Sequence, residues 1–423
     1  MPPLADGVGM PWDVENADPV AAIGAVRRDL GDEFVLDSGN DRYLFTFSPT
    51  GVDSFYALPE DQASKALADF RMLRRKLPDE VFLGRRTLPF QLFRRDDVAA
   101  YLANLEIALD ATTEEMGTQG SVDLFALTRR LGHRMGLASW AGPGCADGTV
   151  FEELVTAFDA LDGADAFVHP DAMRSVAASG KAAEQAALES IAAIIGEAAA
   201  RMEGQAALRA QHTLFARIVG QWSDEDPQLR RRGAALDVAL IHVASMSNLA
   251  SALGWLLVDL VEHPDERAAV AAGDRSLAER CALESTRLAQ RSIMARFVVA
   301  PLDFAASGSS YTVAPGVTIA TLLPLLNTAD VPGLASWDPT RWNRYRLADT
   351  SGLASDRLVT AFGHGRHSCP AQPFALSAMT SAAVRLFAAY DVRREWHTRP
   401  QPVAAQIGGV ARSAQPCVAS YRR

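Results

Sequence analysis

The segment Ala361-Phe-Gly-His-Gly-Arg-His-Ser-Cys-Pro370 constrains this chain more than any other stretch. Gly363 and Gly365 free the backbone for positive φ or for close approach to a flat ligand. Cys369 ends the loop and stands just before a segment, about Pro373 to Tyr390, whose apolar spacing predicts a helix. A helix N-terminus stabilises negative charge, so a thiol placed there is disposed to act as a thiolate, either as an anionic ligand or as a nucleophile. The alternative for a lone cysteine of this kind is a small buried side chain.

The pattern around that loop is mostly helical. From about Glu60 to Ile293, Ala, Leu, Arg and Glu recur at three-to-four spacing, with breaks at Gly142-Pro143-Gly144, His169-Pro170 and Asp226-Pro227. The opening is irregular and Pro-rich. Glu33 to Leu36 and Tyr43 to Phe47 predict two strands around the turn Ser38-Gly39-Asn40-Asp41. No linker or internal repeat divides the sequence. The expectation is a mainly α fold with a small β portion, one domain over residues 1–423. Its β-rich parts lie at about 30–50 and 296–330, its α-rich core at about 60–293 and 371–390.

Several functions are disfavoured. The net charge of −10 is a poor footprint for nucleic acid. Cys145, Cys281, Cys369 and Cys417 are far apart and form no CxxC pair, which excludes a zinc ribbon or a dithiol redox motif. The N-terminus has no basic start followed by an apolar run, so no signal peptide is expected. The most apolar stretch, Asp237 to Val261, is interrupted by His242, Ser245, Ser247, Asn248 and Asp259, which predicts a core helix rather than a membrane span. A soluble, cytoplasmic protein is expected.

The cysteine loop resembles the haem-binding loop of the cytochrome P450 family, F-G-x-G-x-[HR]-x-C-x-G, through Phe362, Gly363, Gly365, His367 and Cys369. Upstream, Glu284-Ser-Thr-Arg287 resembles that family's ExxR, and Trp337-Asp-Pro-Thr-Arg341-Trp342 resembles its meander. Taken alone, ExxR is an ordinary helical i,i+3 pair; three motifs in order carry the resemblance, over roughly Arg230 to Tyr390. It implies the cytochrome P450 fold with a single haem domain and haem b as cofactor. It implies that Cys369 is the thiolate on iron, that Phe362 and Gly363 pack near the porphyrin, and that His367 and Arg296 hold propionates. Glu284, Arg287 and Arg341 would form a buried structural network. The family glycine two residues after the ligand is Ala371 here, and no WxxxR is evident, so Arg94 and Arg95 are the nearest candidates for a further propionate contact.

In the family's helix I register, Ala244 keeps the alanine, Ser245 replaces glycine, Ser247 replaces the acid and Asn248 replaces threonine. Asparagine offers a donor and an acceptor but no titratable proton. It can orient a bound oxygen atom and cannot serve as an acid. This asparagine resembles the branch containing prostacyclin synthase and cholesterol 7α-hydroxylase, whose reactions differ. Asn248 and Ser247 are the candidate catalytic residues, with satisfaction of a helix kink as the alternative for Asn248 and a place facing another helix as the alternative for Ser247.

By family layout the substrate pocket would comprise Phe82, Leu88, Phe90, Ile241, Ala244, Ser245, Asn248, Ile293, Met294 and Ile407, mostly apolar. Residues 71–95 hold eight basic side chains and two acidic ones. They are either an acidic-partner footprint or a solvated helix face. The leading expectation is a monooxygenase acting on an apolar small molecule in biosynthesis, with electrons from a separate ferredoxin or flavodoxin and its reductase. A redox-neutral isomerase or dehydratase acting on a peroxide is the alternative, and a non-catalytic haem-binding scaffold the third reading.

Overall fold

The structure, a computed structural model, describes residues 2–83, 98–163, 167–204, 214–328 and 331–423. Its organising element is the helix Pro227–Glu262. Asp226 caps it by accepting from the Gln228 and Leu229 amides, and Pro227 starts it with a φ already suited to a helix. It stops at His263 because Pro264 opens the next helix and disfavours helical geometry before it. At 1.5 Å per residue this central helix is about 54 Å long.

The central helix is long and apolar enough to cross a membrane by length and composition, and two thirds of its most apolar window is buried against the rest of the protein. Helices Leu124–Trp140, Ala182–Gly204, Arg275–Ala289 and Gln372–Ala389 pack on it. The approach is close: a Cβ on Gly254 would stand 2.8 Å from the Phe125 ring, so that crossing requires glycine. These helices share one apolar core that includes Leu131, Met135, Leu253, Leu256, Leu283 and Met379.

The β portion forms the other wall. Six strands lie in the order Leu4–Ala5, Glu33–Ser38, Asp41–Thr46, Val317–Leu322, Ile293–Val298, Ala63–Ser64. The N-terminal hairpin pairs Glu33 with Thr46 and Ser38 with Asp41 about a turn whose Gly39 has φ +68°. Ile293–Val298 runs antiparallel to Val317–Leu322, with Ala295 opposite Ala320. Phe34, Phe45 and Phe47 stack beneath the sheet.

Three elements depart from the expected layout. The irregular opening contains a helix, Pro19–Leu30, capped by Asp18. A strand, Gln119–Asp123, interrupts the expected α core because Val418–Arg422 pairs with it from the other end of the chain. The two-residue strand Ala63–Ser64 forms against Val298 and Phe297.

Candidate active site

The cysteine loop is built by short-range hydrogen bonds. The Cys369 amide donates to Phe362 O (2.7 Å), the Gln372 amide to Cys369 O (3.2 Å), and the Thr360 hydroxyl to Gly363 O (3.1 Å). Gly363 has φ +80°, and a Cβ there would meet His367 O at 2.8 Å. Any other residue would open the loop. Ala371, where the resembled motif has glycine, has φ −86°, so alanine fits without strain.

The result places the Cys369 sulfur at the start of helix Gln372–Ala389, within reach of the Ala371 and Gln372 amides. Burial pushes the free thiol's pKa up, and those two amides and Lys65 oppose it. Cys145, Cys281 and Cys417 are also unpaired, and all three are buried with pKa values raised by desolvation.

Cys369, Phe362 and Gly363 form one side of a cavity of about 460 Å³. Ala244, Ser245, Met246, Asn248, Leu249 and Ala252 of the central helix line it too, together with Met294, Leu323, Gly409 and Val410. The lining is mostly apolar, with His367 among its polar residues.

Beside His367 lies Arg296, fully buried on strand Ile293–Val298, which runs between Val317–Leu322 and the edge strand Ala63–Ser64. One of its terminal nitrogens donates to Leu58 O and Ala63 O, both at 2.8 Å, and the other touches His367 Nε2. Its Nε has no hydrogen-bond partner among the described residues, and the Glu60 carboxylate is 3.9 Å away. Burial and the Arg296 charge both depress the His367 pKa. A buried guanidinium with an unused donor, set against an imidazole on the cavity wall, is a receptor for carboxylates. A thiol under two amides, an apolar slot and this donor pair fit a haem: Cys369 would hold the iron, and Arg296 and His367 its propionates.

Asn248 lines the cavity, with its amide divided between two tasks. Oδ1 accepts the Val410 N–H at 2.9 Å, and Nδ2 is 3.5 Å from Ala244 O. Gly409 allows this, since a Cβ there would stand 2.2 Å from Oδ1. The acceptor is therefore committed to the C-terminal turn and the donor is left for the cavity. Asn248→Thr is expected to strand the Val410 amide, at about 1–3 kcal/mol, and to change product identity with the haem spectrum intact. Asn248→Asp keeps the acceptor but loses the donor, so it should preserve melting temperature and still change product. Unchanged products in both variants would make Asn248 purely structural.

Ser247 points elsewhere. Its hydroxyl donates to Asp162 Oδ2 in a separate small cavity, about one hundred degrees around the helix from Asn248. Four expected pocket residues also lie off the cavity. Ile293 sits in the cluster beneath the sheet because strand neighbours alternate, and Met294 takes the cavity side. Ile241 packs on the helical core one turn before the cavity begins at Ala244. Ile407 is buried under the sheet, and the turn reaches the cavity through Gly409 and Val410 instead. Phe82 is held edge-on by Phe70 at 5.0 Å. Leu88, Phe90, Arg94 and Arg95 lie outside the described residues. Leu249 and Ala252 continue the helical face of Ser245 and Asn248, a periodicity open to sequence reading; the Gly408-Gly409 pair marks a turn without its destination.

The basic segment is largely neutralised where it is described. Arg71 and Arg75 pair with Asp41, Arg74 with Asp79 at 2.8 Å, and Lys76 is buried beside Asp162. The ExxR pair is fully buried: Arg287 donates to Glu284 at 2.7 and 2.8 Å, and Arg341 and Trp342 reach the same carboxylate.

No family model matches the chain. Among curated proteins it is similar to human 24-hydroxycholesterol 7-alpha-hydroxylase, 27% identical over 176 residues, which are 36% of each chain. It is also similar to the cytochrome P450 monooxygenase pynD of Aspergillus niger, 28% identical over 190 residues, 41% of this chain and 39% of that protein. The chain thus aligns with well under half the length of these relatives. Among solved structures, CYP175A1 from Thermus thermophillus matches with a TM-score of 0.67 at 20% identity, covering 96% of this chain and 95% of that one. The chain shares the fold of that protein, and a 7α-hydroxylase stands among the relatives, as the Asn248 resemblance implies.

Proposed function

From the premise that this chain belongs to the cytochrome P450 family, we propose that it is a haem-thiolate monooxygenase acting on an apolar small molecule in biosynthesis. The observation that carries the reading is the Cys369 sulfur at a helix start, bordering an apolar cavity. Bound there, haem b would activate dioxygen with electrons from a separate donor of the ferredoxin or flavodoxin kind.

The residues of the chain have assignable tasks. Cys369 would hold the iron as a thiolate and supply electron density to it. Arg296 and His367 would hold the propionates and fix the orientation of the ring. Phe362 packs near the sulfur. Ala244, Met294 and Val410 exclude water and orient an apolar substrate. Asn248 turns one N–H toward that substrate's reacting end. Four unpaired cysteines suit a reducing compartment such as the cytoplasm.

A redox-neutral isomerase or dehydratase acting on a peroxide is the second reading. It is favoured by the central-helix lining of the cavity, Ala244, Ser245, Met246, Asn248, Leu249 and Ala252, which contains no acid. Reductant dependence separates the two. Haem-loaded protein with a ferredoxin, its reductase and a panel of sterols and other apolar compounds is expected to form oxygenated product only when reductant is present. Turnover of an organic peroxide at the same rate with and without reductant would replace the first reading by the second.

A further inference from the structure

The proposed reaction leaves one buried polar chain unused. It starts at Trp140, which is fully buried and donates Nε1–H to His242 Nδ1 at 3.2 Å. An indole N–H only donates, so this bond makes Nδ1 the acceptor and puts the His242 proton on Nε2. His242 Nε2–H then donates to His133 Nδ1 at 2.8 Å, and His133 Nε2–H donates to Asp159 Oδ1 at 3.1 Å. Arg129 also holds Asp159, at 3.0 Å, and 43% of the Asp159 side chain is exposed to solvent. The chain runs from a dry indole to a wetted carboxylate, with donor and acceptor alternating at every link. Burial, then His133 and Arg129, push the His242 pKa well below its ordinary value, so Nδ1 stays free to accept.

The indole end of this chain abuts the cavity of Cys369. The Trp140 ring lies 5.6 Å from the Phe374 ring, and Phe374 lines that cavity. Met246 lines it too, and Gly136 lets the indole reach the Met246 thioether: a Cβ on Gly136 would stand 2.6 Å from both Trp140 Cζ2 and Met246 Sδ. A single side chain therefore separates the indole from a group held by Cys369. Tyr101 also borders Phe374, at 5.6 Å. Trp140 differs in having a base on its N–H. Among the described residues it is the one tryptophan that donates to an imidazole; the others with a partner donate to a carboxylate, a hydroxyl or a carbonyl.

We propose that Trp140 is redox-active: it gives an electron to an oxidised haem when no substrate is present, while its indole proton leaves through His242, His133 and Asp159. The inference rests on haem at Cys369 and not on which reaction that haem performs. Hydrogen peroxide is the oxidant. Its O–O bond breaks, and the haem site gives up two electrons. Trp140 returns one of them past Phe374 or Met246. An indole that has lost an electron is a strong acid, and a cation left in this apolar core would be costly, so the proton moves as well. The Trp140 Nε1–H bond breaks as a bond to His242 Nδ1 forms. His242 Nε2–H passes to His133 Nδ1, and His133 Nε2–H passes to Asp159 Oδ1, which releases a proton to water. A neutral tryptophanyl radical, two neutral imidazoles and the Asp159 carboxylate remain. The oxidising equivalent has then left the porphyrin and the Cys369 sulfur, which it would otherwise damage.

The test mixes haem-loaded ferric protein with hydrogen peroxide, without substrate, and freeze-quenches it for electron paramagnetic resonance. A tryptophanyl signal that narrows when the protein carries ring-deuterated tryptophan is expected. Trp140→Phe should lose that signal, and its Soret band should bleach several times faster than that of wild type. His242→Gln keeps both hydrogen bonds, since the amide oxygen accepts from Trp140 and the amide N–H donates to His133, but it takes up no proton. It should slow radical formation roughly 100-fold and leave the melting temperature near wild type. In the haem-free protein, nitrogen-15 magnetic resonance should show His242 protonated at Nε2 and bare at Nδ1.

A signal that persists in Trp140→Phe, a tyrosyl signal in wild type such as oxidation of Tyr101 would give, unchanged radical formation in His242→Gln, or a His242 proton on Nδ1 would each overturn the outlet. Failure of the haem reading is distinct and is seen first: a protein that takes up no haem has no Soret band to bleach, whereas failure of the outlet alone leaves that band and its thiolate shift intact.

Discussion

Glu284→Ala is expected to destabilise the protein by about 3–5 kcal/mol, the largest stability loss of any single change in the site. The Glu284 carboxylate is completely buried and accepts from five groups. Oε1 takes Arg287 Nη2 at 2.7 Å, the Asp338 amide at 3.1 Å and Arg341 Nε at 3.2 Å. Oε2 takes Arg287 Nε and Trp342 Nε1, both at 2.8 Å. Its removal leaves the Arg287 cation at 0% exposure, with Asn327 O at 2.5 Å as its remaining acceptor. An uncompensated buried charge is the costly outcome, whatever the net worth of the intact pair. Asp338, Arg341 and Trp342 would also come loose, and with them the segment that follows helix Arg275–Ala289 in space. A fall in melting temperature of roughly 3–6 °C is expected by scanning calorimetry, together with weaker haem retention. A fall below about 2 °C would mean that the segment holds its place without Glu284.

The parts of the fold that were legible in the sequence are those set by local chemistry. Gly39 with its neighbours specified a hairpin, and Asp226-Pro227 marked a break in the helical pattern, where the central helix starts. The bonds that bend the cysteine loop, from Thr360 to Gln372, join residues within ten positions of one another and so were legible, whereas its anchors, Gln290 Nε2 on Ala361 O and the Thr360 amide on Asn327 Oδ1, come from 71 and 33 positions away. Non-local pairing was not legible. Gln119–Asp123 lay inside the long span read as mostly helical and becomes a strand because Val418–Arg422 reaches it. Asn248 was placed in the right register, yet its acceptor is taken by Val410, 162 positions away. Ser247 was singled out because it takes the place of the acid in the helix I register, and helical geometry turns it toward Asp162. The same geometry separates Met294 from Ile293, this time with the period of a strand. Sequence supplies the faces, and only the packed structure says which face meets the cavity.

Cys369→Ser is expected to abolish the function while leaving the fold in place. The substitution is nearly isosteric, and the bonds that shape the loop do not involve the sulfur: the Cys369 amide on Phe362 O, the Gln372 amide on Cys369 O, and Thr360 on Gly363. The melting temperature of the haem-free protein should therefore move little. The chemistry changes completely. In the free protein burial already holds the thiol neutral against the pull of two amides and Lys65, so anionic character there comes with a bound metal ion. A thiol yields that proton to a metal readily, whereas a serine hydroxyl is a far weaker acid. The variant would offer a neutral oxygen, or leave the position to water. Wild-type protein reduced under carbon monoxide should show the red-shifted Soret band of thiolate ligation; Cys369→Ser should show the band of a neutral ligand and form no oxygenated product with reductant. Arg296 and His367 remain in the variant, so haem itself should still bind, more weakly. A red-shifted band that survives in Cys369→Ser would mean that another cysteine holds the iron, which the burial of Cys145, Cys281 and Cys417 away from the cavity argues against.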